Sequence, residues 1–278
     1  MKRIPKKLHT YWDGSPMSLL QSFTVTSFHK YNPDWEITIH MPEKKYDGDM
    51  KFHFIPDYIG EDYFHTIASL DYVNINIIDL NAYDIRHDIH DILRSDIFRY
   101  HVLHHEGGVW SDFDVLWIKP IEHFRNTEYH GDVPADEISA VASFLRGTED
   151  GHSIGIMIHR KHDPYALSLA EGTKTVQPPF GHEVFGGTLL ARLYPDLKSL
   201  DKFKTVVGAR FETYYPFNIH PPVKTIQNLY RGEHLEYINN NVLCVHWYNG
   251  HILSKHYINH AFGSPCTMTT ILKNEGHI

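Results

Sequence analysis

Cysteine is scarce: only Cys244 and Cys266 occur in 278 residues. That excludes a fold stapled by several disulfides and points to a reducing compartment. Long apolar runs are also missing, so nothing in the sequence reads as a membrane-spanning helix of about 18 residues or more. The basic start (Lys2, Arg3, Lys6, Lys7) is not followed by the apolar stretch of about 7–15 residues that a secretory signal requires. A cytoplasmic location is therefore expected. There is no excess of positive charge either. The formal net charge is -8 with histidines neutral, which offers a polyanion no electrostatic footprint and argues against nucleic acid as a partner. Low-complexity tracts, internal repeats and a Pro/Gly-rich linker are absent.

What is present is an ordinary globular composition, 42% hydrophobic and 22% charged, long enough to bury a large core in one unit. Histidine is abundant at 23 residues, yet no H-E-x-x-H or Cys/His pair spacing occurs. The pair His104-His105 and the set His251, His256 and His260 therefore read as surface residues rather than a metal centre, and so do most of the others.

Along the chain, residues 7–12 predict a first strand ending at the Asp13-Gly14 turn, and Ser15-Pro16 offers a cap and a first-turn proline for a helix to about Lys30. Asn32-Pro33 stops that helix, and residues 35–40 predict a second strand. Strand, helix, strand is the opening of an α/β sheet. Residues 41–65 carry mixed turn signals without an assignment, and 66–83 read as helical. A long helix from about Ile89 to Leu103, a Gly107-Gly108 break and a strand to Ile118 follow. Strands are expected at 138–145, 154–159 and 242–247, and a helix at 183–193.

The chemistry sits in the long helix and the strand after it. At about 100° per residue, Ile89, Ile92, Leu93, Tyr100 and Leu103 form one stripe, with Asp96 in its middle and Arg99 at its edge. A carboxylate on a face destined for burial needs a donor, either Arg99 one turn on or a bound ligand. Beyond the double glycine, Asp112-Phe113-Asp114 interrupts an otherwise apolar run. The strand is expected to carry these three residues, so the two carboxylates share one face while Phe113 turns to the core. Two close carboxylates are tolerable beside a hard divalent cation, and Mg or Mn held by one or two carboxylates together with substrate phosphates is a common arrangement. A D-x-D by itself is weak; its place at the end of a buried strand gives it weight.

The order Ser95-Asp96-Ile97-Phe98-Arg99-Tyr100, Leu103, Gly107-Gly108, Asp112-Phe113-Asp114 and Lys119-Pro120 resembles glycosyltransferase family 32 and its relatives with the DXD signature. Ile4 to Trp12 and Asn32-Pro33-Asp34-Trp35-Glu36 are similar to that family's first strand and following turn, so the likeness covers about the first 120 residues. It implies an α/β fold of the GT-A type, a Rossmann-like nucleotide-sugar-binding domain with a mixed central sheet flanked by helices. The single domain would span 1–278, with 1–120 as its donor-binding half and 121–278 as its acceptor-binding half. It also implies Mn2+ or Mg2+ as cofactor, a UDP-sugar as donor, and an oligosaccharide or glycoprotein glycan as acceptor. By the same likeness Trp12, beside Tyr11, would stack on the uracil, as in related toxins, and Asp96 and Arg99 would bind the donor sugar, Arg99 also reaching the diphosphate. Asp112 would meet the ribose and the water around the metal, and Asp114 would ligate the metal. The late segment Val245 to His251 keeps a His-Trp but lacks the family's Ser-Trp. His246 is the candidate third ligand, Asn249 its substitute, and Trp247 a candidate contact of the donor. In length and lack of an anchor the chain is similar to the soluble capsid-glycan transferases of large algal DNA viruses, among them a xylosyltransferase. That would make UDP-xylose one donor and a host cytoplasm the compartment.

If the reaction inverts the anomeric centre it needs a general base, for which Asp150, Asp163 and Glu183 are equivalent on sequence. If it retains configuration, as the family likeness implies, no base is required. Two rivals remain. A haloacid-dehalogenase-like phosphotransferase also has D-x-D after a strand, but it expects Thr where Leu116 stands. The other is a nucleotide-sugar- or carbohydrate-binding module without turnover.

Overall fold

Residues 8–11 are buried on both faces of their strand, which places β1 (Lys7–Tyr11) inside a sheet. In the computed structural model, which describes residues 4–49, 58–124, 133–134, 136–144, 152–217 and 224–278, β1 pairs in parallel with β2 (Glu36–Pro42) on one side and β4 (Gly108–Ser111) on the other. Helix α1 (Leu19–Tyr31) joins β1 to β2. Its cap is Ser18, not the expected Ser15: the Ser18 hydroxyl accepts the Gln21 N–H while the Gln21 amide oxygen takes the Ser18 N–H.

The helix expected over 66–83 is replaced by a short α2 (Phe64–Ala68), a strand β3 (Val73–Ile78) and a 3-10 turn at Leu80–Tyr83. The physical reason is the alternation Val73-Asn74-Ile75-Asn76-Ile77, which suits an edge strand paired to β2 and leaves Ile75 and Ile77 exposed. Helix α3 (Asp91–His105) then returns the chain to β4. Gly107 and Gly108 both have positive φ, at 69° and 107°, and a Cβ on Gly108 would lie 2.5 Å from the Lys7 carbonyl oxygen, so this turn needs glycine.

A second correction concerns Asp112 and Asp114. The strand does not continue to Ile118: β4 ends at Ser111, residues 112–114 turn, and β5 (Val115–Trp117) starts a separate two-stranded sheet with β9 (Cys244–His246). The main sheet is completed by β6 (Ala140–Phe144), β7 (His152–His159) and β8 (Val206–Arg210), in the order β3-β2-β1-β4-β7-β6-β8. β7 is antiparallel to β4 and β6, and β8 is parallel to β6. Helices α4 (Pro164–Thr173), α5 (Gly187–Leu193), α6 (Lys224–Tyr230), α7 (Ile252–His256) and α8 (Thr267–Asn274) lie around these strands. Because the chain leaves β1 toward β2 and comes back to β4 on β1's other side, the carboxyl ends of β1 and β4 flank a switch point, where α/β sheets open a crevice for ligands. Both cysteines are buried free thiols, and among the described residues no helix is long and apolar enough to cross a membrane.

Most histidines were expected at the surface, and three outside the candidate site are core residues: His9, His40 and His159. His9 Nε2 lies 3.0 Å from the Gly107 carbonyl oxygen, so it donates there. That leaves His9 Nδ1 to accept from His40 Nε2 at 3.0 Å, and His40 Nδ1 to accept from the Asn76 amide at 3.0 Å. The His9 and His40 rings are thus both satisfied as neutral tautomers. The chain of bonds ties β1, β2, β3 and the turn before β4 together.

Candidate metal and donor site

Asp112 leaves the end of β4 with its backbone N–H donated to the Gly155 carbonyl of β7 at 2.8 Å. Its side chain is held from two sides. The Trp110 indole N–H donates to Oδ1 at 2.9 Å, and the Arg99 guanidinium lies 3.2 Å away. Asp114 is fixed from the small sheet: the Trp247 N–H meets its carbonyl oxygen at 2.8 Å and the Asn249 N–H meets its Oδ2 at 2.8 Å. His246, brought in by β9, places Nε2 3.1 Å from Asp114 Oδ1, out of line for a hydrogen bond. The outcome is one nitrogen or oxygen from each of Asp112, Asp114 and His246, all within 4.8 Å of one another.

This donor set fits a divalent cation. Asp114 Oδ1 and, on the adjoining segment, Asn249 Oδ1 are buried oxygens without a hydrogen-bond donor. Such atoms cost free energy unless something positive meets them. Two carboxylates and one imidazole suit Mn2+ better than the all-oxygen sphere that Mg2+ prefers. Burial pushes the Asp112 carboxyl upward against the pull of Arg99, with the Asp114 charge adding to the rise. Burial works the same way on Asp114, but His246 and the Asn249 amide outweigh it and hold that carboxyl below the usual range.

Behind this cluster, Asp96 and Arg99 pair at 2.6 Å, both almost fully buried. Burial pushes Asp96 up to about 7, and Arg99 opposes it. Arg99 also donates to the Ile154 carbonyl at 2.7 Å, contacts Ser95, and lies 4.9 Å from the Trp110 ring centre. Its donors are spent within the protein, so here it positions Asp112 and Asp96 and has none left over for a diphosphate.

Of the three candidate bases, Asp163 is corrected by its surroundings. It is fully buried, caps α4 through Tyr165 and Ala166, and faces His159 at 3.3 Å, so it cannot take a proton from an acceptor. Asp150 lies outside the described residues. Glu183 is exposed, bonds His182 Nδ1 at 3.1 Å, and stands close enough to Asp96 for its charge to raise that carboxyl. The His182 contact is the first cause holding Glu183 below its ordinary range.

The aromatic expectations meet a packed core. Trp12 is 8% exposed, edge-on to Phe113 at 5.0 Å, with its N–H given to the Ser15 carbonyl. Tyr11 is buried and donates to Asp91 at 2.8 Å. Trp247 is 0% exposed in the cluster under α6 and α8, so its ring has no surface for a ligand; its contribution is the backbone N–H on Asp114. Sequence reasoning missed Trp110, His182, Tyr215 and Gly155. Trp110 carried a signal, since it stands two residues before Asp112, the spacing at which side chains of an extended segment point the same way. Gly155, a glycine inside a strand, carried another.

Residues 20–131 match the family model described as "Glycosyltransferase sugar-binding region containing DXD motif". Over 147 residues the chain is 26% identical to the "Initiation-specific alpha-1,6-mannosyltransferase" of Saccharomyces cerevisiae, a match covering 46% of this chain and 31% of that protein. The chain thus spans about a third of that curated relative. Among solved structures it is similar to the glycosyltransferase GlyE of Streptococcus pneumoniae, with a TM-score of 0.55 at 9% identity over 99% of this chain and 61% of the other. It is also similar to the bifunctional WbbM, with a TM-score of 0.50 at 10% identity over 98% and 52%. These likenesses show the GT-A fold.

Proposed function

We propose that the protein is a divalent-metal-dependent transferase that moves a sugar from a UDP-sugar to a hydroxyl of a glycan, a reading supported by the match of residues 20–131 to the DXD-containing glycosyltransferase region and by the GT-A fold. The single observation that supports this most is the convergence of Asp112, Asp114 and His246 within 4.8 Å beside the switch point of the sheet. Mn2+ held there would neutralise charge developing on the departing diphosphate, a Lewis-acid contribution of several kcal/mol. The protein's own part is to hold both carboxylates in place. Arg99 and Trp110 orient Asp112, while the Asn249 amide and the backbone of Trp247 orient Asp114. Asp96 sits at the inner end, where a donor sugar hydroxyl would give its partly compensated charge an additional donor. Trp12, at the end of β1, is the candidate neighbour of the base.

If the reaction inverts the anomeric centre, the geometry favours Glu183 as the base, since it alone of the described candidates is exposed, oriented by a histidine and close to Asp96.

The test is a panel of UDP- and GDP-sugars, UDP-xylose and GDP-mannose among them, followed by NMR for donor hydrolysis with Mn2+. A UDP-sugar is expected to be hydrolysed, the reaction to stop on chelation, and Asp114→Ala to lose about 100-fold or more, the scale of removing a main electrostatic stabiliser. Hydrolysis indifferent to chelator, or preference for a GDP-sugar, would overturn this reading. Metal-dependent binding of the donor without turnover would instead mark a binding module.

A further inference from the structure

Gly155 lies inside β7, and its backbone is not in the left-handed region that makes glycine necessary. A glycine weakens a strand and packs nothing, so its presence there calls for a close approach by something else. The atoms that a Cβ at this position would meet are the Tyr215 hydroxyl at 2.9 Å, Asp112 Oδ2 at 3.1 Å and His246 Nε2 at 3.3 Å. By the geometry of that triangle, the methyl carbon would be nearer the point midway between the carboxylate oxygen and the imidazole nitrogen than to either atom. Metal–ligand bonds are roughly 2.0–2.2 Å for nitrogen and oxygen donors. A methyl group in that position would therefore occupy the coordination space between two of the three candidate ligands.

We infer that Gly155 is the clearance residue of the metal site: the absent side chain leaves the room that the cation, or a water on it, occupies between Asp112 and His246. This rests on the metal reading above. The competing explanation is that glycine is needed only to admit the Tyr215 hydroxyl, which also takes a hydrogen bond from Ser153.

The two explanations separate in a double substitution. Mn2+ binding is measured by electron paramagnetic resonance in the presence of UDP, and melting temperature is recorded in parallel, for wild type, Gly155→Ala, Tyr215→Phe and Gly155→Ala/Tyr215→Phe. Removing the hydroxyl relieves the closest contact, so the double variant is expected to melt near the Tyr215→Phe protein while still binding Mn2+ roughly 10–100-fold more weakly than it, the range seen when the surroundings of a metal are disturbed. Double-variant binding equal to that of Tyr215→Phe would overturn the inference and leave the hydroxyl as the reason for glycine. So would a folded Gly155→Ala protein with wild-type affinity. If wild type itself fails to bind Mn2+, the metal reading falls first and takes this one with it.

Discussion

Asp96 shows what one residue must satisfy. It is buried beside Arg99 at 2.6 Å, and burial lifts its carboxyl to about 7. Truncation to alanine leaves a buried guanidinium short of an acceptor, and Asp96→Ala should cost about 3–5 kcal/mol in urea unfolding. Asp96→Asn keeps an oxygen for Arg99 and should cost less, yet lower turnover per folded molecule about tenfold or more, as loss of a charge-assisted contact to substrate does. An Asn variant that melts early but turns over normally would make the pair purely structural. The burial of Asp96 beside Arg99 was legible because a charge on an apolar helix face is conspicuous in sequence. Asp163 and Glu183 looked alike there; only burial separated the helix cap from the exposed carboxylate.

At the level of elements, the chain of hydrogen bonds through His9 and His40 couples three parallel strands to the turn before β4. Burial is the main cause that lowers His9 to about 4, and it lowers His40 as well. Both bind protons more readily unfolded than folded. Their contribution is therefore complete above the ordinary histidine value of about 6.5 and is lost as pH falls from there toward 4. Melting temperature should fall between pH 6.5 and 4.5, and His9→Gln should flatten that part of the profile while lowering stability at pH 7.5. A His9→Gln slope equal to wild type would assign the acid sensitivity elsewhere. At α1, Ser18→Ala removes one half of the capping box and should cost about 1 kcal/mol, read by chemical denaturation. The misreading of β3 belongs to this scale also. An edge strand's alternation is short and half exposed, so its pattern competes poorly with a helical one in a window of that length.

For the whole molecule, the turn carrying Asp112 and Asp114 joins the seven-stranded sheet to the β5–β9 pair, and the candidate metal ligands come from both sides of that junction. A ligand that bridges them should stabilise the folded chain as a unit. With Mn2+ and UDP each at about 100 times their dissociation constants, the gain expected from mass action is at least about 2.7 kcal/mol, a rise of several degrees in melting temperature. UDP without metal should give much less, and equal shifts with and without Mn2+ would argue that the cation plays no part in donor binding.

The local rules written in the chain were enough for the periodic elements: the first strand, the long helix with its misplaced carboxylate and the double-glycine turn that leads to the acidic pair. Each depends on neighbours a few residues away, so residue order alone decides it. The partner of that acidic pair depends on what β9 and β7 bring from far along the chain. His246 opposite Asp114 and Gly155 under Asp112 exist as a site only because strand pairing closes loops whose contents no short window of sequence contains.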